Sequence, residues 1–149
     1  MAESELSDNK HIVFQLGEQV LAIPLMSASE VLECGEVKPV ARAKKFFTGV
    51  TNLRGEVVGV IDLRHRFDLP AHDERSVLIV FEFDDFTLAA KVDCLLRVDV
   101  IDPAEVDPVQ GVKNYLDSRY VQGIYQRDDQ MITIIDIKAF LEQDRVSAA

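Results

Sequence analysis

Residues able to do chemistry are few in this chain, and their spacing suits it badly. Two pairs of adjacent carboxylates, Asp84-Asp85 and Asp128-Asp129, could hold a cation or share acid–base work. Each pair also falls between two apolar runs, where Asp favours a turn because its side chain bonds to nearby backbone. Solvated turns account for both. His65 lies between Arg64 and Arg66, where an imidazole could titrate or take a phosphoryl group, but a surface or partly packed histidine explains it better. His11 opens an apolar run and His72 lies in a polar connection. Ser27, Ser29 and Cys34 are nucleophile types, yet no His and acid stand at a suggestive spacing from any of them. Cys34 and Cys94 are single, far apart and without a His at ligand spacing, which argues against structural zinc. Neither Gly-x-x-x-x-Gly-Lys nor Gly-x-Gly-x-x-Gly occurs. The reading is of a non-enzyme without cofactor or metal, and an interaction module needs no missing part.

The elements that must position these groups are organised around Gly49-Val50-Thr51-Asn52-Leu53-Arg54-Gly55-Glu56-Val57-Val58-Gly59-Val60-Ile61-Asp62-Leu63-Arg64. Two arms rich in β-branched residues meet at Arg54-Gly55, and β-branched side chains favour strands. Gly55 permits the positive φ that a tight reversal needs. One reading is a hairpin with a polar tip. The other is a tip that presents Arg54 to a partner.

A length of 149 residues allows one ordinary domain or two small ones. An apolar share of 48% with 28% charged residues is that of a globular chain. The net charge of −10 speaks against nucleic acid, whose binders carry a basic footprint. Lys38, Arg42, Lys44, Lys45, Arg54, Arg64 and Arg66 do gather seven of the sixteen basic residues, as a solvated face among acids or as a binding patch. Residues 1–10 are polar and acidic, unlike a signal peptide, and are expected to be disordered. No apolar run approaches the length of a membrane span. A cytoplasmic protein with free thiols is the expectation.

Taken in order, 11–16 and 20–25 read as a hairpin. Residues 27–32 suit a helical turn, with Ser27 as N-cap and Glu30 three residues on. A strand is expected near 37–40, confined by Pro39 to an edge or a start. A short turn of helix at 43–47, the central hairpin and a helix over 63–69 ended by Pro70 follow. Residues 71–75 form a polar connection. Strands are then expected at 76–83, 86–92 and 95–101, a loop-like stretch at 102–116, a hairpin over 120–126 and 131–136, and a helix over 137–144.

The second half repeats the first. Val13-Phe14-Gln15-Leu16 aligns with Val80-Phe81-Glu82-Phe83 at an offset of 67, which also places Leu21-Ala22 on Leu88-Ala89 and Val31 on Val98. Gly49 to Asp62 and Gly123 to Asp136 each span 13 positions and end alike. Two blocks in one order indicate a duplicated all-β unit. So small a sheet loses its exposed edges best by closing into a barrel, and two barrels share a larger core than either has alone. The expected fold is all-β, two similar five-stranded barrels with short helices, one of them C-terminal. The expected units are residues 11–72 and 73–145, with exchange of a strand or helix between them left open.

The words Gly49-Val50-Thr51-Asn52-Leu53-Arg54-Gly55, followed by an apolar strand and Ile61-Asp62-Leu63-Arg64, resemble the signature of the CheW family over about residues 11–143. That resemblance implies the same double barrel. It also implies a scaffold that couples chemoreceptor tips to the histidine kinase CheA, recruited to receptor arrays at the membrane. It places receptor contacts at Ala28, Glu30, Gly49, Arg54 and Gly55, in a groove between the barrels, with Glu30 paired to Arg54. It places the kinase contact on an apolar edge around Val37, Val40, Val57 and Val58. The second barrel would make a further contact linking kinases into rings. The chain departs from the family at Lys44-Lys45, where a proline is common, and at Ser29, where a longer polar side chain is usual. An adaptor of another receptor–kinase pathway is one alternative. A double barrel for small ligands or nucleic acid is another, which the acidic charge and scarce aromatics oppose.

Overall fold

A computed structural model describes residues 9–41, 47–66, 69–70, 76–84, 86–107, 121–137 and 139, without the side chains of 47 and 66. Its strands are β1 (Lys10–Leu16), β2 (Gln19–Pro24), β3 (Glu30–Glu33), β4 (Phe47–Leu53), β5 (Glu56–Asp62), β6 (Val77–Glu82), β7 (Thr87–Val92), β8 (Cys94–Val100), β9 (Val106–Asp107), β10 (Val121–Arg127) and β11 (Gln130–Ile135). One short helix, α1 (Leu63–Arg66), follows β5, and 3-10 turns occupy Leu25–Ser27 and Pro103–Glu105.

The strands form a six-stranded sheet in the order β8-β1-β2-β11-β10-β9 and a five-stranded sheet in the order β3-β6-β7-β5-β4. Each sheet therefore takes strands from before and after residue 72. Hairpin β1–β2 joins β11 in parallel, and hairpin β6–β7 joins β5 in parallel. All other pairings are antiparallel.

Strict alternation fills three apolar clusters. Ile12, Phe14, Leu16, Leu21 and Ile23 point one way from β1 and β2 and meet Ile61, Ile79, Phe81, Leu88 and Ala90 of the other sheet in a core between the sheets. Val13 and Ala22 point the other way, into a cluster within the six-stranded sheet that includes Ile132 and Ile134. Leu78, Val80 and Ala89 do the same within the five-stranded sheet, against Val58 and Val60. Strands buried on both faces read as continuous apolar runs, which is how Ile79-Val80-Phe81 appears.

Five expectations meet a different structure or fall outside the described residues. Ser27 does not start a helix: its Oγ donates to the Pro24 carbonyl at 2.6 Å and closes a 3-10 turn. Glu30–Glu33 is a strand because β6 pairs with it, and tertiary pairing overrides a weak local helix signal. The strand expected near 37–40 is a single bridge, Lys38 to Val50. In the loop-like stretch, 103–107 hold a 3-10 turn and β9, while 108–120 lie outside the described residues. The helical turn expected at 43–47 lies there too, apart from Phe47, which begins β4, as does the closing helix beyond Ile137 and Ala139.

Candidate functional site

The β4–β5 hairpin turns on two residues, since Leu53 pairs with Glu56. Arg54 has φ 54° and Gly55 φ 89°, the positive pair of a type I′ turn whose twist matches that of the strands. Asn52 Oδ1 accepts the Gly55 N–H at 2.9 Å and braces the reversal. Leu53 is half-buried against the apolar cluster of the five-stranded sheet. Arg54 stands out from the tip, its side chain 81% exposed.

Glu30 reaches this tip from β3. Arg54 Nη2 donates to Glu30 Oε1 at 2.5 Å, with Glu30 30% exposed. Strands β3 and β4 are the two edges of their sheet, so the pair spans the gap across which the sheet curls shut. Backbone bonds between Lys38 and Val50, both 2.8 Å, and Thr51 Oγ1 donating to the Glu36 carbonyl at 2.8 Å close the same gap. The start of β3 is anchored by Ser29, whose N–H and Oγ both donate to the Val80 carbonyl, at 2.8 and 3.1 Å.

The structure gathers Glu30, Arg54 and Gly55, but not the rest of the expected receptor set. Ala28 ends the 3-10 turn on the crossover between sheets and packs against the central core. Gly49 is buried five residues from the tip along β4, about 15 Å at the rise of a strand. A Cβ there would fall on the Lys38 carbonyl and lie 3.1 Å from Pro39 Cα, so close backbone approach explains this glycine. Among the valines assigned to the kinase edge, Val57 is 70% and Val40 46% exposed, and Val37 is half-buried against the cluster. Val58 is corrected: at 4% exposure it belongs to the core, because it alternates with Val57 on β5 and faces Leu78 and Val80.

Sequence reasoning missed a groove. An open cavity of about 480 Å³ runs beside the tip, lined by Leu32, Lys38, Val50, Leu53, Val57 and Leu78. Its residues come from β3 to β6 and share no sequence window. Also missed was a charged network on the other sheet, where Asp99 is 5% exposed and accepts from Arg97 and Arg127, each at 2.8 Å. Its signal was available: Arg97 and Asp99 alternate with Val98 and Val100.

The rest of the motif serves the interior. Ile61 and Leu63 are buried in the central core. Asp62 Oδ1 accepts the Arg64 N–H at 2.9 Å and caps α1. Arg64 donates through Nε and Nη2 to the carboxylate of Asp93 at 2.8 and 3.0 Å. Asp93 also accepts the Gly17 N–H at 2.7 Å, so it ties the β7–β8 crossover to the β1–β2 turn. The basic cluster of the sequence is thus divided, with Arg54 on Glu30 and Arg64 on Asp93, while 42, 44 and 45 lie outside the described residues.

Burial pushes the Cys34 thiol pKa up, with Lys91 opposing and Asp62 adding to the shift, so the thiol stays protonated near neutrality. Among the described residues no three of His, Cys, Asp and Glu are placed to hold a metal, and no helix is long and apolar enough to cross a membrane.

Against known families, the model of the CheW-like domain matches residues 10–145. The chain belongs to the CheW-like family. It is 27% identical over 145 residues to the chemotaxis protein CheW of Klebsiella aerogenes, covering 96% of this chain and 87% of that one. The CheW of Treponema pallidum is 26% identical over 132 residues, or 85% and 78% of the two chains. The crystal structure of the scaffolding protein TtCheW from Thermoanaerobacter tengcongensis superposes with a TM-score of 0.78 at 30% identity, over 87% of this chain and 85% of that one. The all-β fold with two small barrel-like units is that of CheW.

Proposed function

We propose that this chain is a non-catalytic adaptor of chemotaxis signalling. It joins the cytoplasmic tip of a chemoreceptor to the histidine kinase CheA, in the cytoplasm at membrane-associated arrays. One observation carries the receptor half of this reading: Arg54 is held outward on a left-handed turn by Glu30. A guanidinium fixed in one orientation offers its remaining donors as a directed fork to a carboxylate or carbonyl. Glu30, Arg54 and Gly55 form that contact, with Ala28 two residues before Glu30 in the chain and Gly49 shaping the strand beneath. The exposed apolar edge of Val40 and Val57, with Val37 at its margin, receives the kinase. No metal or cofactor takes part.

The test is the charge reversal Arg54→Glu. The pair with Glu30 lies largely in solvent and is worth only about 0–1 kcal/mol to folding. Loss of a central interface arginine can cost about 2 kcal/mol or more in binding. The variant is therefore expected to melt close to the parent yet to drop out of co-sedimentation with receptor and kinase. Arg54→Lys is expected to be impaired as well, since an ammonium cannot reproduce the fork. Unchanged co-sedimentation by folded Arg54→Glu refutes the assignment.

A further inference from the structure

The two sheets are built on one backbone plan, and their side chains invert at the end that carries Arg54. Glu30 opposite Val80 and Leu32 opposite Leu78 repeat as Arg97 opposite Val13 and Asp99 opposite His11. Hairpin β4–β5 repeats as β10–β11 with the same register shift, and Arg54 and Asp128 share a φ of 54°. The parallel joins agree as well, Gly59 with Leu88 and Thr133 with Leu21. On this common frame the chemistry differs. Leu32, Leu53 and Leu78, which line the groove, become Asp99, Arg127 and His11. The pair Glu30 and Arg54 becomes Arg97 and Asp128, and Gly55 becomes Asp129.

These polar replacements hold one another. Asp99 takes both arginines, Arg97 Nη2 donates to Gln130 Oε1 at 2.6 Å, and His11 Nδ1 lies 2.8 Å from the Asn9 carbonyl. Arg97 is thereby engaged by Asp99 and Gln130, and the turn presents the exposed carboxylates of Asp128 and Asp129.

We propose that the network of Arg97, Asp99 and Arg127, with the Asp128-Asp129 tip, determines specificity: it denies the six-stranded sheet to the partner that docks at Arg54. The inference rests on the reading of Arg54 as the receptor contact. A duplicated fold presents the same shape twice, and a partner that reads shape and apolar surface binds at both places. An adaptor so bound links two copies of one partner in place of coupling two different ones. Discrimination between two near-identical surfaces is often built with a repulsive element at the wrong one. Here a carboxylate that suits Arg54 meets two carboxylates, and an apolar side chain that suits the groove strips water from charged groups. Like charges brought face to face weaken an interface by about a hundredfold or more.

The probe is a receptor cytoplasmic-tip hairpin, with stoichiometry and affinity read by calorimetry. The parent is expected to bind one, and Arg54→Glu none. Into that Arg54→Glu chain are then placed Arg97→Glu, Asp128→Arg and Asp129→Gly at the tip, with His11→Leu, Asp99→Leu and Arg127→Leu beneath it. His11 and Asp99 are buried whereas Arg127 reaches solvent, and exchange of buried charged groups for apolar residues of similar size is often neutral or stabilising. One site is expected to return, with a Kd within about tenfold of the parent's, a difference of about 1.4 kcal/mol. The three tip substitutions alone leave His11, Asp99 and Arg127 in place and are expected to return a weaker site. A folded six-substitution chain that binds nothing overturns the inference. Where that chain does not melt cooperatively, absence of binding by the three-substitution chain overturns it. Binding that survives Arg54→Glu alone overturns the receptor reading, before the second end is touched, and takes this inference with it.

Discussion

Arg54 occupies a position where folding alone would choose another residue. A type I′ turn favours Asn-Gly, because Asn tolerates the left-handed region that penalises other side chains by about 1–2 kcal/mol. The arginine accepts that penalty, and its largely solvated pair with Glu30 returns little. Arg54→Asn and Arg54→Ala both lose the pair, so their difference isolates the backbone term. Arg54→Asn is expected to be the more stable by about 1 kcal/mol in urea denaturation. Equal stabilities would show that the turn relaxes to suit any residue. The thiols give a second comparison. Cys94 is exposed, whereas Cys34 is half-buried with its pKa pushed up by burial. A raised pKa leaves less thiolate near neutrality, and the thiolate is the form that reacts. Iodoacetamide labelling followed by mass spectrometry is expected to modify Cys94 first, with Cys34 catching up only as pH rises above the ordinary thiol range. Faster labelling of Cys34 at neutral pH would contradict the burial argument. The Glu30–Arg54 contact was legible only through family resemblance. Those residues meet because a sheet curls until its edges touch, and no spacing in the sequence encodes that.

One signature segment serves two ends. Its first half makes the exposed tip, while its second half supplies the cap of α1 and the clasp on Asp93. The two arginines should therefore separate binding from folding. Arg64 and Asp93 are only 15% and 17% exposed and share a bidentate contact. Hydrogen bonds to charged groups contribute about 1.5–3 kcal/mol each when partly buried, and removing one partner leaves the other desolvated. Arg64→Ala is expected to cost about 2–3 kcal/mol by that reasoning and to lower the melting midpoint by several degrees. Arg54→Ala should hardly move it. A melting midpoint for Arg64→Ala that matches the parent's would mean that the clasp contributes nothing net. Short apolar runs made most of these elements legible, β1, β2, β6 and β7 above all, because both their faces are apolar. The stretch from Ser27 to Leu32 was not, since its capping pattern is a local signal and β6 supplies the stronger, distant one. The groove was hidden for the same reason: Leu32, Leu53 and Leu78 become neighbours only through β6 and the barrel closure.

The duplication was legible in the whole molecule because equivalent residues kept their registers, so that offsets in the sequence became equivalent pairings in the sheets. Which sheet each hairpin joins was not legible. That choice is made by the parallel joins of β5 with β7 and of β2 with β11, and a parallel join leaves no turn to read. Its consequence is mutual dependence. In the five-stranded sheet, β6 and β7 lie between β3 and β5, so a chain cut after residue 72 has a sheet with its middle missing. The same fragment keeps β1 and β2 but loses β8 and β11 on either side of them. The central core is likewise shared, with Phe14 and Ile61 from one half and Phe81 and Ile135 from the other. Neither half buries enough alone to offset its chain entropy. Residues 1–72 and 73–149, expressed separately, are expected to lack a cooperative melt and amide dispersion. Expressed together, they are expected to associate one to one and recover the parent's spectrum, because every missing strand is then supplied. An isolated 1–72 fragment that melts cooperatively as a monomer would show that β3, β4 and β5 close without β6 and β7. The hairpin exchange would then be an ornament of the fold rather than the feature that makes it one cooperative body.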